Sequence, residues 1–182
     1  MSDIASELGI TKGALYKHYK NKQDIFDSIV KRMYAADAEQ SQKSSVPQSE
    51  YEKSEEGYDT VSAENVRNFT VAQFKFWTEN EFASNFRKML TLEQYKNPEI
   101  AELYKKCLTD GPVSYTEDIF REMAKRGNFK RTDSRQAALE FYAPFYLLIS
   151  LFDNSEDGEK LSSALISHID RFFRENLTNA NN

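Results

Sequence analysis

Four lysines follow one another near the start of the chain with no acidic residue among them. Lys12, Lys17, Lys20 and Lys22 all lie within residues 11–22, although the whole chain has 24 basic and 29 acidic residues. Lysine side chains neutralise phosphates and release the counterions that condense on nucleic acids. This local charge favours DNA binding. The alternative is a solvated lysine face on an ordinary surface helix.

The residues around these lysines predict a helix-turn-helix over residues 2–30. The small side chain of Ala5 allows two helices to approach closely, and Gly9 can enter the left-handed backbone region at the turn. Thr11 can cap the second helix by accepting a hydrogen bond from a free amide group, so that this helix starts at Thr11 or Lys12. The spaced apolar positions are Ile4, Leu8, Ile10, Leu15 and Tyr19.

This stretch resembles the DNA-binding motif of the tetracycline-repressor (TetR) family of transcription regulators. The family pattern contains an Ile-Ala pair, a Leu-Gly pair, a small-residue turn, a Leu-Tyr pair, an aromatic residue, and a lysine before an acidic and apolar helix start. The residues on this pattern are Ile4, Ala5, Leu8, Gly9, Leu15, Tyr16, Tyr19, Lys22, Asp24 and Phe26. The resemblance implies an all-α protein and, beyond this motif, extends only to helical architecture.

The resemblance also implies a DNA contact for individual residues. Lys12, Gly13, Ala14 and Tyr16 would lie nearest the bases, Tyr16, Lys17, His18 and Lys22 at phosphates, and Ser2 and Thr11 at the groove edge. Lys12 is expected to read a base because lysine can donate to guanine acceptors, although it can equally contact a phosphate. For His18 the alternative is a surface histidine without a DNA contact. Leu15 and Tyr19 would belong to the core.

In one respect the sequence departs from the family. Family members begin with a longer first helix that packs under the motif, whereas here Met1 directly precedes the motif. The apolar residues that would then be partly uncovered are Ile4, Leu8, Leu15, Phe26 and Ile29. Such exposure costs about 25 cal/mol per Å² of apolar surface. An N-terminal truncation is the resulting hypothesis, and the mass of the natively expressed protein tests it.

The composition is that of a globular protein with one or two modest domains. The chain has 182 residues, of which 40% are hydrophobic and 13% aromatic, which is enough for a buried core. The longest apolar run, residues 142–152, is too short to span a bilayer, and no signal peptide precedes the motif. Cytoplasmic residence is therefore expected. The single cysteine, Cys107, excludes an internal disulfide framework.

The sequence contains no arrangement of residues typical of an enzyme. His18 and His168 lie at opposite ends of the chain, and neither a metal-spaced cluster nor a glycine-rich phosphate loop occurs. Cys107 lies on an apolar stripe, which favours burial over a nucleophilic role. We therefore expect no catalytic residue, no metal and no cofactor.

Composition divides the chain into three parts. Residues 1–39 contain the helix-turn-helix and a linking helix, which Asn21 can cap with Asp24 three residues on and which continues to about Ala38. Residues 40–61 have few apolar side chains and are predicted to be a flexible linker, with a phosphorylated or partner-binding tail as the alternative. Residues 62–182 are predicted to form a helical domain for effector binding and dimerisation.

Three residues or pairs mark helix boundaries in this larger domain. Pro98 should start a helix, the pair at 111–112 should interrupt one, and Gly127 suits a left-handed C-terminal cap. A helix opened by Thr132 or Asp133 should follow.

The last two predicted helices carry the expected dimer interface. Residues 137–152 are apolar nearly all round, and a helix without a polar face has to be buried on more than one side. Pro144 should kink this helix. With the helix over 159–177 it is expected to be half of a four-helix bundle completed by a second subunit, as the resemblance also implies. The predicted interface residues are Phe141, Phe145, Leu148, Ile149, Phe152, Leu165, His168, Ile169 and Phe172.

Aromatic side chains at helical spacing can line an effector cavity, as the resemblance implies, or can simply form the core. The candidates are Phe74, Trp77, Phe86, Met89, Tyr104, Phe120, Tyr142 and Tyr146. Few charges accompany them, which favours a small hydrophobic or aromatic effector.

The resemblance implies a homodimeric regulator that binds a palindromic DNA operator. A small-molecule effector would shift the population between two spacings of the DNA readers and so release the operator. Repression relieved by ligand is the commonest behaviour in the family, and activation is one alternative. The other is a dimeric helical ligand-binding or interaction protein that does not bind DNA in this form.

Overall fold

The computed structural model describes residues 1–43, Val46 and residues 61–178. These residues form nine α-helices, and the β pairing among them is an isolated antiparallel bridge between Phe129 and Leu177. The helices are α1 Ser2–Glu7, α2 Lys12–Tyr16, α3 Lys22–Lys43, α4 Ala63–Glu79, α5 Glu81–Glu93, α6 Pro98–Leu108, α7 Asp110–Lys125, α8 Ser134–Phe152 and α9 Gly158–Asn176. The predicted all-α fold class is confirmed.

The chain divides into two compact units, Met1–Glu39 and Gln40–Asn182. In the first unit α1 packs against α2. Helix α3 continues past its predicted end near Ala38 and takes in the first residues of the predicted linker. Val46 and Val61 are both buried, and the rest of that predicted linker lies outside the described residues.

Helix ends in the second unit follow the expected local chemistry. The Asn97 side chain accepts a hydrogen bond from the Glu99 amide at 2.9 Å, and Pro98 occupies the first turn of α6. Gly127 has a φ of 75° directly after α7, as a left-handed cap requires. The Asp133 side chain caps α8 through the Gln136 amide at 2.9 Å. These boundaries were predictable because each depends on residues close in sequence.

The break between α6 and α7 comes earlier than predicted. It lies at Thr109, whose backbone is irregular, and α7 has already begun when the chain reaches Gly111. A Cβ atom at Gly111 would lie 2.0 Å from the Lys106 carbonyl oxygen. Glycine is therefore needed at this position because two helix ends approach closely, and not because it stops a helix.

Helix α8 is the central element of the second unit. It packs against α7 and α9 and also contacts α4, while α4 packs against α5 and α9. The helix runs without interruption through Pro144. Its inward side chains are buried, whereas Leu139, Leu147 and Leu151 remain exposed on its outer face. A helix that reads as apolar nearly all round is thus buried within its own chain on one side only.

Candidate DNA-binding and effector sites

The turn before α2 has the geometry that its residue types predict. Gly9 adopts a φ of 65° between α1 and α2, and nearby Ala5 is buried. The hydroxyl oxygen of Thr11 accepts a hydrogen bond from the Ala14 amide at 3.1 Å and so caps the second helix. The predicted turn and cap are therefore both confirmed.

Helix α2 presents a cationic and aromatic face to solvent. Lys12 and Tyr16 are one helical turn apart and both exposed, and the Lys12 Nζ lies 5.8 Å from the centroid of the Tyr16 ring. A cation over an aromatic face is attracted by the ring quadrupole, at about 0.5–1 kcal/mol for an exposed pair. The ring thus holds the ammonium group close to the exposed face of the helix.

The other residues predicted to contact DNA lie mostly at the surface. Those exposed to solvent are Ser2, Thr11, Lys12, Gly13, Tyr16, Lys17, His18 and Lys22, while Ala14 is half-buried. Leu15 is buried and Tyr19 is half-buried, in agreement with their predicted core role. The helix itself is shorter than the lysine-bearing segment, since α2 ends at Tyr16 and Lys22 begins α3.

Two hydrogen bonds between side chains and backbone amides stabilise the start of α3. The Asn21 side chain caps the helix through the Asp24 amide at 2.9 Å. The Asp24 carboxylate accepts in return from the amide of Lys20, one residue before the cap, also at 2.9 Å. The prediction that Asn21 caps this helix is confirmed. The reciprocal hydrogen bond reaches the Lys20 amide, one position before the Asn21 amide that a capping box would use.

Some apolar side chains of the first unit are exposed to solvent. Leu8 is 60% exposed and Ile10 is 43% exposed, whereas Ile4, Phe26 and Ile29 are half-buried. Leu15 is buried, which differs from the expectation that its inner face would be uncovered. The reason is that α1 packs against α2.

The candidate effector residues fall into separate groups in the second unit. Phe120 is fully buried and packs against the rings of Phe129, Phe141, Phe172 and Phe173, at centroid distances of 4.8–6.2 Å. This Phe120 cluster joins α7, α8 and α9. Phe120 is thus core, because rings of its own chain surround it.

The remaining candidates lie toward α4, α5 and α6. Phe74 meets Phe145 edge to face at 5.9 Å, and Tyr142 stacks on Phe145 at 5.3 Å. The hydroxyl groups of Tyr104 on α6 and Tyr146 on α8 are hydrogen-bonded to each other. Trp77 and Phe86 are buried beside other aromatic rings, and Met89 is half-buried.

Three tyrosines form a polar group between α6 and α8, which we call the tyrosine cluster: Tyr104, Tyr142 and Tyr146. The Tyr142 hydroxyl donates to the Leu108 carbonyl at 2.8 Å. Burial raises the pKa of Tyr104 to about 12, assisted by its hydrogen bond to Tyr146. Burial also raises the pKa of Tyr142. The hydroxyl groups of Tyr104 and Tyr142 therefore stay neutral near pH 7.

A partly buried ion pair near this cluster was not predicted from the sequence. The Arg87 guanidinium on α5 donates two hydrogen bonds to the Asp153 carboxylate, at 2.8 and 2.6 Å. Its Nε also donates to the Trp77 carbonyl at 3.4 Å. The arginine thus joins α4, α5 and the end of α8. Arg87 and Asp153 are 66 positions apart, so no local pattern marks the pair.

Replacing Asp153 with asparagine should lower the free energy of unfolding by about 3 kcal/mol, because it leaves the Arg87 charge buried without its counter-charge. The Arg87 side chain is 5% exposed. Urea unfolding followed by the fluorescence of Trp77, the single tryptophan, measures the change. The control is Asp170→Asn, whose partner Arg67 has a side chain 38% exposed, and it should change stability by less than about 1 kcal/mol. Equal effects of both variants would contradict the prediction.

The same pair predicts a pH dependence of stability. Burial opposes ionisation of Asp153, but the hydrogen bonds and charge of Arg87, with Lys88, outweigh it and lower the pKa of the carboxyl group. A carboxyl group whose pKa is lower in the folded chain stabilises the fold above its unfolded pKa of about 3.9. The stabilisation is therefore present at neutral pH and is lost as the pH falls through the folded pKa.

The structure places most of the residues predicted for the dimer interface inside the single chain. Phe141, Phe145, Ile149, Leu165, Ile169 and Phe172 are buried inside the single chain, and Leu148, Phe152 and His168 are half-buried. His168 donates from Nε2 to the Phe141 carbonyl at 3.0 Å, which also directs it inward. These side chains therefore pack against the rest of their own chain.

The outer faces of α8 and α9 have a different composition. On α8 the exposed residues Leu139, Ala143, Leu147 and Leu151 recur every four positions. On α9 the small residues Ser163 and Ser167 are exposed. Leucines on one helix and small side chains on the next allow close packing of another helical surface.

Other kinds of site are not evident in the parts of the chain that are described. No cluster of three or more His, Cys, Asp or Glu side chains there could hold a metal ion. Nor does any helix within residues 1–43 or 61–178 have the length and apolar character needed to cross a membrane. Cys107 is half-buried on α6.

The N-terminal geometry coincides with a family match. Residues 1–29 match the model of the bacterial regulatory proteins, tetR family. This segment comprises α1, α2 and the start of α3, and therefore contains the capped helix and its cationic face.

Three solved structures share the fold of the chain. The SmeT-triclosan complex has a TM-score of 0.68 at 16% identity, covering 97% of this chain and 80% of the other. A putative TetR-family transcriptional regulator from Mesorhizobium loti has a TM-score of 0.65 at 13% identity, covering 97% and 86%. The flavonoid-responsive regulator FrrA has a TM-score of 0.54 at 19% identity, covering 98% and 87%.

Proposed function

Because the chain belongs to the TetR family of bacterial regulatory proteins, we propose that it is a ligand-responsive transcriptional repressor. It binds a palindromic operator as a homodimer and leaves the operator when a small hydrophobic or aromatic effector binds. The observation that carries this proposal is the exposed face of α2, where Lys12 and Tyr16 lie together on a helix capped by Thr11. A short, cationic and exposed helix behind a tight turn suits the major groove.

The exposed residues of the first unit divide into base, phosphate and groove-edge contacts. Lys12, Gly13, Ala14 and Tyr16 face the bases, while Lys17, His18 and Lys22 lie at phosphates with the Tyr16 hydroxyl. Ser2 and Thr11 lie at the groove edge. The support for this assignment is solvent exposure, since each of these residues except the half-buried Ala14 is open to solvent.

Dimerisation uses the outer faces of α8 and α9. Three exposed leucines on α8 would otherwise remain in water, and contiguous apolar surface of this kind marks an interaction site. A two-fold axis through this surface would pair α8 and α9 with their copies and complete a four-helix bundle. It would also present α2 twice, as a palindromic operator requires.

The proposed effector is aromatic because flat rings pack well against the aromatic side chains around the tyrosine cluster. Phe74, Phe145 and Tyr142 form consecutive ring contacts beside it. Of two proteins with the same fold, SmeT forms a complex with triclosan and FrrA is a flavonoid-responsive regulator, and triclosan and flavonoids are both aromatic. Effector binding shifts the population between two states of the dimer that differ in the distance between the two α2 helices, and α3 transmits this change. The proposed place of action is the cytoplasm, where bacterial operators lie.

Selection of duplexes from a random DNA library by the purified protein tests this function. We expect enrichment of an inverted repeat whose half-sites are separated by about one or two helical turns of DNA. A shuffled duplex of the same base composition is the control and should bind at least about 100-fold more weakly. If no sequence is enriched, a dimeric ligand-binding or interaction protein becomes the better account.

A further inference from the structure

The end of α9 is joined to the loop between α7 and α8 by a set of contacts that we call the C-terminal clasp, formed by residues 127–130 and 175–178. At its centre Phe129 and Leu177 form the antiparallel bridge. The Phe129 side chain is buried and stacks on Phe120 at a centroid distance of 4.8 Å. The clasp is therefore attached to the Phe120 cluster, which joins α7, α8 and α9.

Backbone hydrogen bonds on both sides of the bridge hold the clasp. The Lys130 amide donates to the Asn176 carbonyl at 2.8 Å, and the Thr178 amide donates to the Asn128 carbonyl at 3.3 Å. These bonds flank the bridge as they do in an antiparallel sheet. The Thr178 hydroxyl also donates to the Gly127 carbonyl at 2.9 Å. Thr178 thus supplies two donors to the clasp, one from its backbone and one from its side chain.

The clasp closes one end of an antiparallel helix pair. Phe141, near the start of α8, contacts the rings of Phe172 and Phe173, near the end of α9, at centroid distances of 5.0 and 5.6 Å. The short connection over residues 153–157 joins the other ends of the two helices. Because the loop bound by the clasp leads into α8, α9 is held next to α8 at both of its ends.

The outer faces of α8 and α9 form one surface only while the two helices keep their relative position. The exposed residues Leu139 and Ala143 lie in the first half of α8, which is the half nearer to the clasp. A helix end that can open locally has to be ordered again when a partner binds, and the cost of this ordering weakens association. Contacts that hold the end of α9 in place therefore favour dimerisation.

We propose that the C-terminal clasp is a conformational device for dimerisation, which holds α9 in the position against α8 that the partner subunit binds. Thr178 is its positioning residue. The inference rests on the dimer interface proposed above and adds a determinant that is not part of either helix.

Thr178→Pro should break the clasp with little strain elsewhere. Proline lacks both the amide hydrogen and the hydroxyl group, and the preceding Leu177 already has the extended backbone, φ −76° and ψ 148°, that suits a residue before proline. The dissociation constant of the dimer, measured by sedimentation over a dilution series, should rise about tenfold if the binding-competent arrangement is then populated about one-tenth of the time. The control Thr178→Ser keeps both donors and should dimerise like the wild-type protein.

Hydrogen exchange of the Lys130 amide, followed by NMR, reports the state of the clasp independently of dimerisation. Exchange should be slow in the wild-type protein and in Thr178→Ser, and faster in Thr178→Pro. Thermal unfolding of each variant establishes that it is folded. Thr178→Ala removes only the hydroxyl donor and should raise the dissociation constant about threefold, as expected for one hydrogen bond. This variant gives the result if the proline variant does not fold.

The outcomes separate this inference from the proposed function. A folded Thr178→Pro variant with fast exchange at Lys130 and the wild-type dissociation constant would overturn the inference and leave the proposed dimer intact. Slow exchange at Lys130 in that variant would also overturn it, because Thr178 would then not hold the clasp, and so would wild-type dimerisation of Thr178→Ala. A monomeric wild-type protein would instead contradict the proposed interface and the inference together.

Discussion

Replacing Leu147 with glutamate should leave the chain monomeric and lower its affinity for operator DNA by at least about 100-fold. Leu147 is 57% exposed in the middle of the outer face of α8. In a two-fold dimer the new carboxylates would be desolvated and close to their symmetry mates, without counter-charges. Loss of the dimer removes the effective concentration that couples the two half-sites, which is worth about 10²–10⁴ in affinity.

Analytical ultracentrifugation at micromolar concentration measures the oligomeric state, and fluorescence anisotropy with the selected duplex measures DNA binding. The matched control is Leu92→Glu on α5, where the leucine is 69% exposed but lies outside the proposed interface. This variant should remain dimeric and bind DNA like the wild-type protein. A dimeric Leu147→Glu variant would show that the outer face of α8 is not the interface.

Replacing Lys12 with alanine should weaken operator binding about 100-fold without unfolding the chain. The side chain is exposed at the first turn of α2, and its ammonium group is held over the Tyr16 ring. A good contact to a base edge is worth about 1–3 kcal/mol. A dimer loses two such contacts, and about 1.4 kcal/mol for each gives the factor of 100.

Anisotropy titration at fixed salt compares this variant with Lys75→Ala, which removes the same charge from an exposed position on α4. The control should change the dissociation constant by less than about twofold. If Lys12 reads a base, its loss should also relax sequence preference at one position of each half-site, whereas a phosphate contact would weaken all sequences alike. Wild-type affinity in Lys12→Ala would contradict the assignment of α2 as the DNA reader.

The DNA-reading unit was largely predictable from sequence because its geometry depends on near neighbours. The φ of 65° at Gly9 and the bond from the Ala14 amide to Thr11 each involve residues within a few positions. The cap at Asn21 is equally local. Each residue type has one conformational or hydrogen-bonding property that the turn requires.

Which side of α8 faces outward could not be predicted, because periodicity identifies an apolar face without saying what covers it. Helix α8 is apolar nearly all round, so its pattern does not distinguish the side that meets α7 and α9 from the outer side. Phe141 and Ile149 were assigned to a partner subunit but are buried in their own chain. Large aromatic side chains fill the core, whereas the smaller Leu147 remains outside.

The residue types of the tyrosine cluster were predictable from the sequence, but their contact partners were not. Tyr104 and Tyr146 were both candidates, but their bond joins residues 42 positions apart. The Arg87–Asp153 pair spans 66 positions and was not predicted at all. Contacts of this range depend on how α5, α6 and α8 pack, which composition and spacing do not determine.

The salt dependence of DNA binding tests the central claim most directly. Two subunits that each place Lys17 and Lys22 at phosphates neutralise about four phosphates. The logarithm of the association constant should then fall linearly with the logarithm of salt concentration, with a slope of about −4. The selected inverted repeat should also stay tighter than a shuffled duplex at every salt concentration. A slope near zero, or equal affinity for both duplexes, would contradict the account.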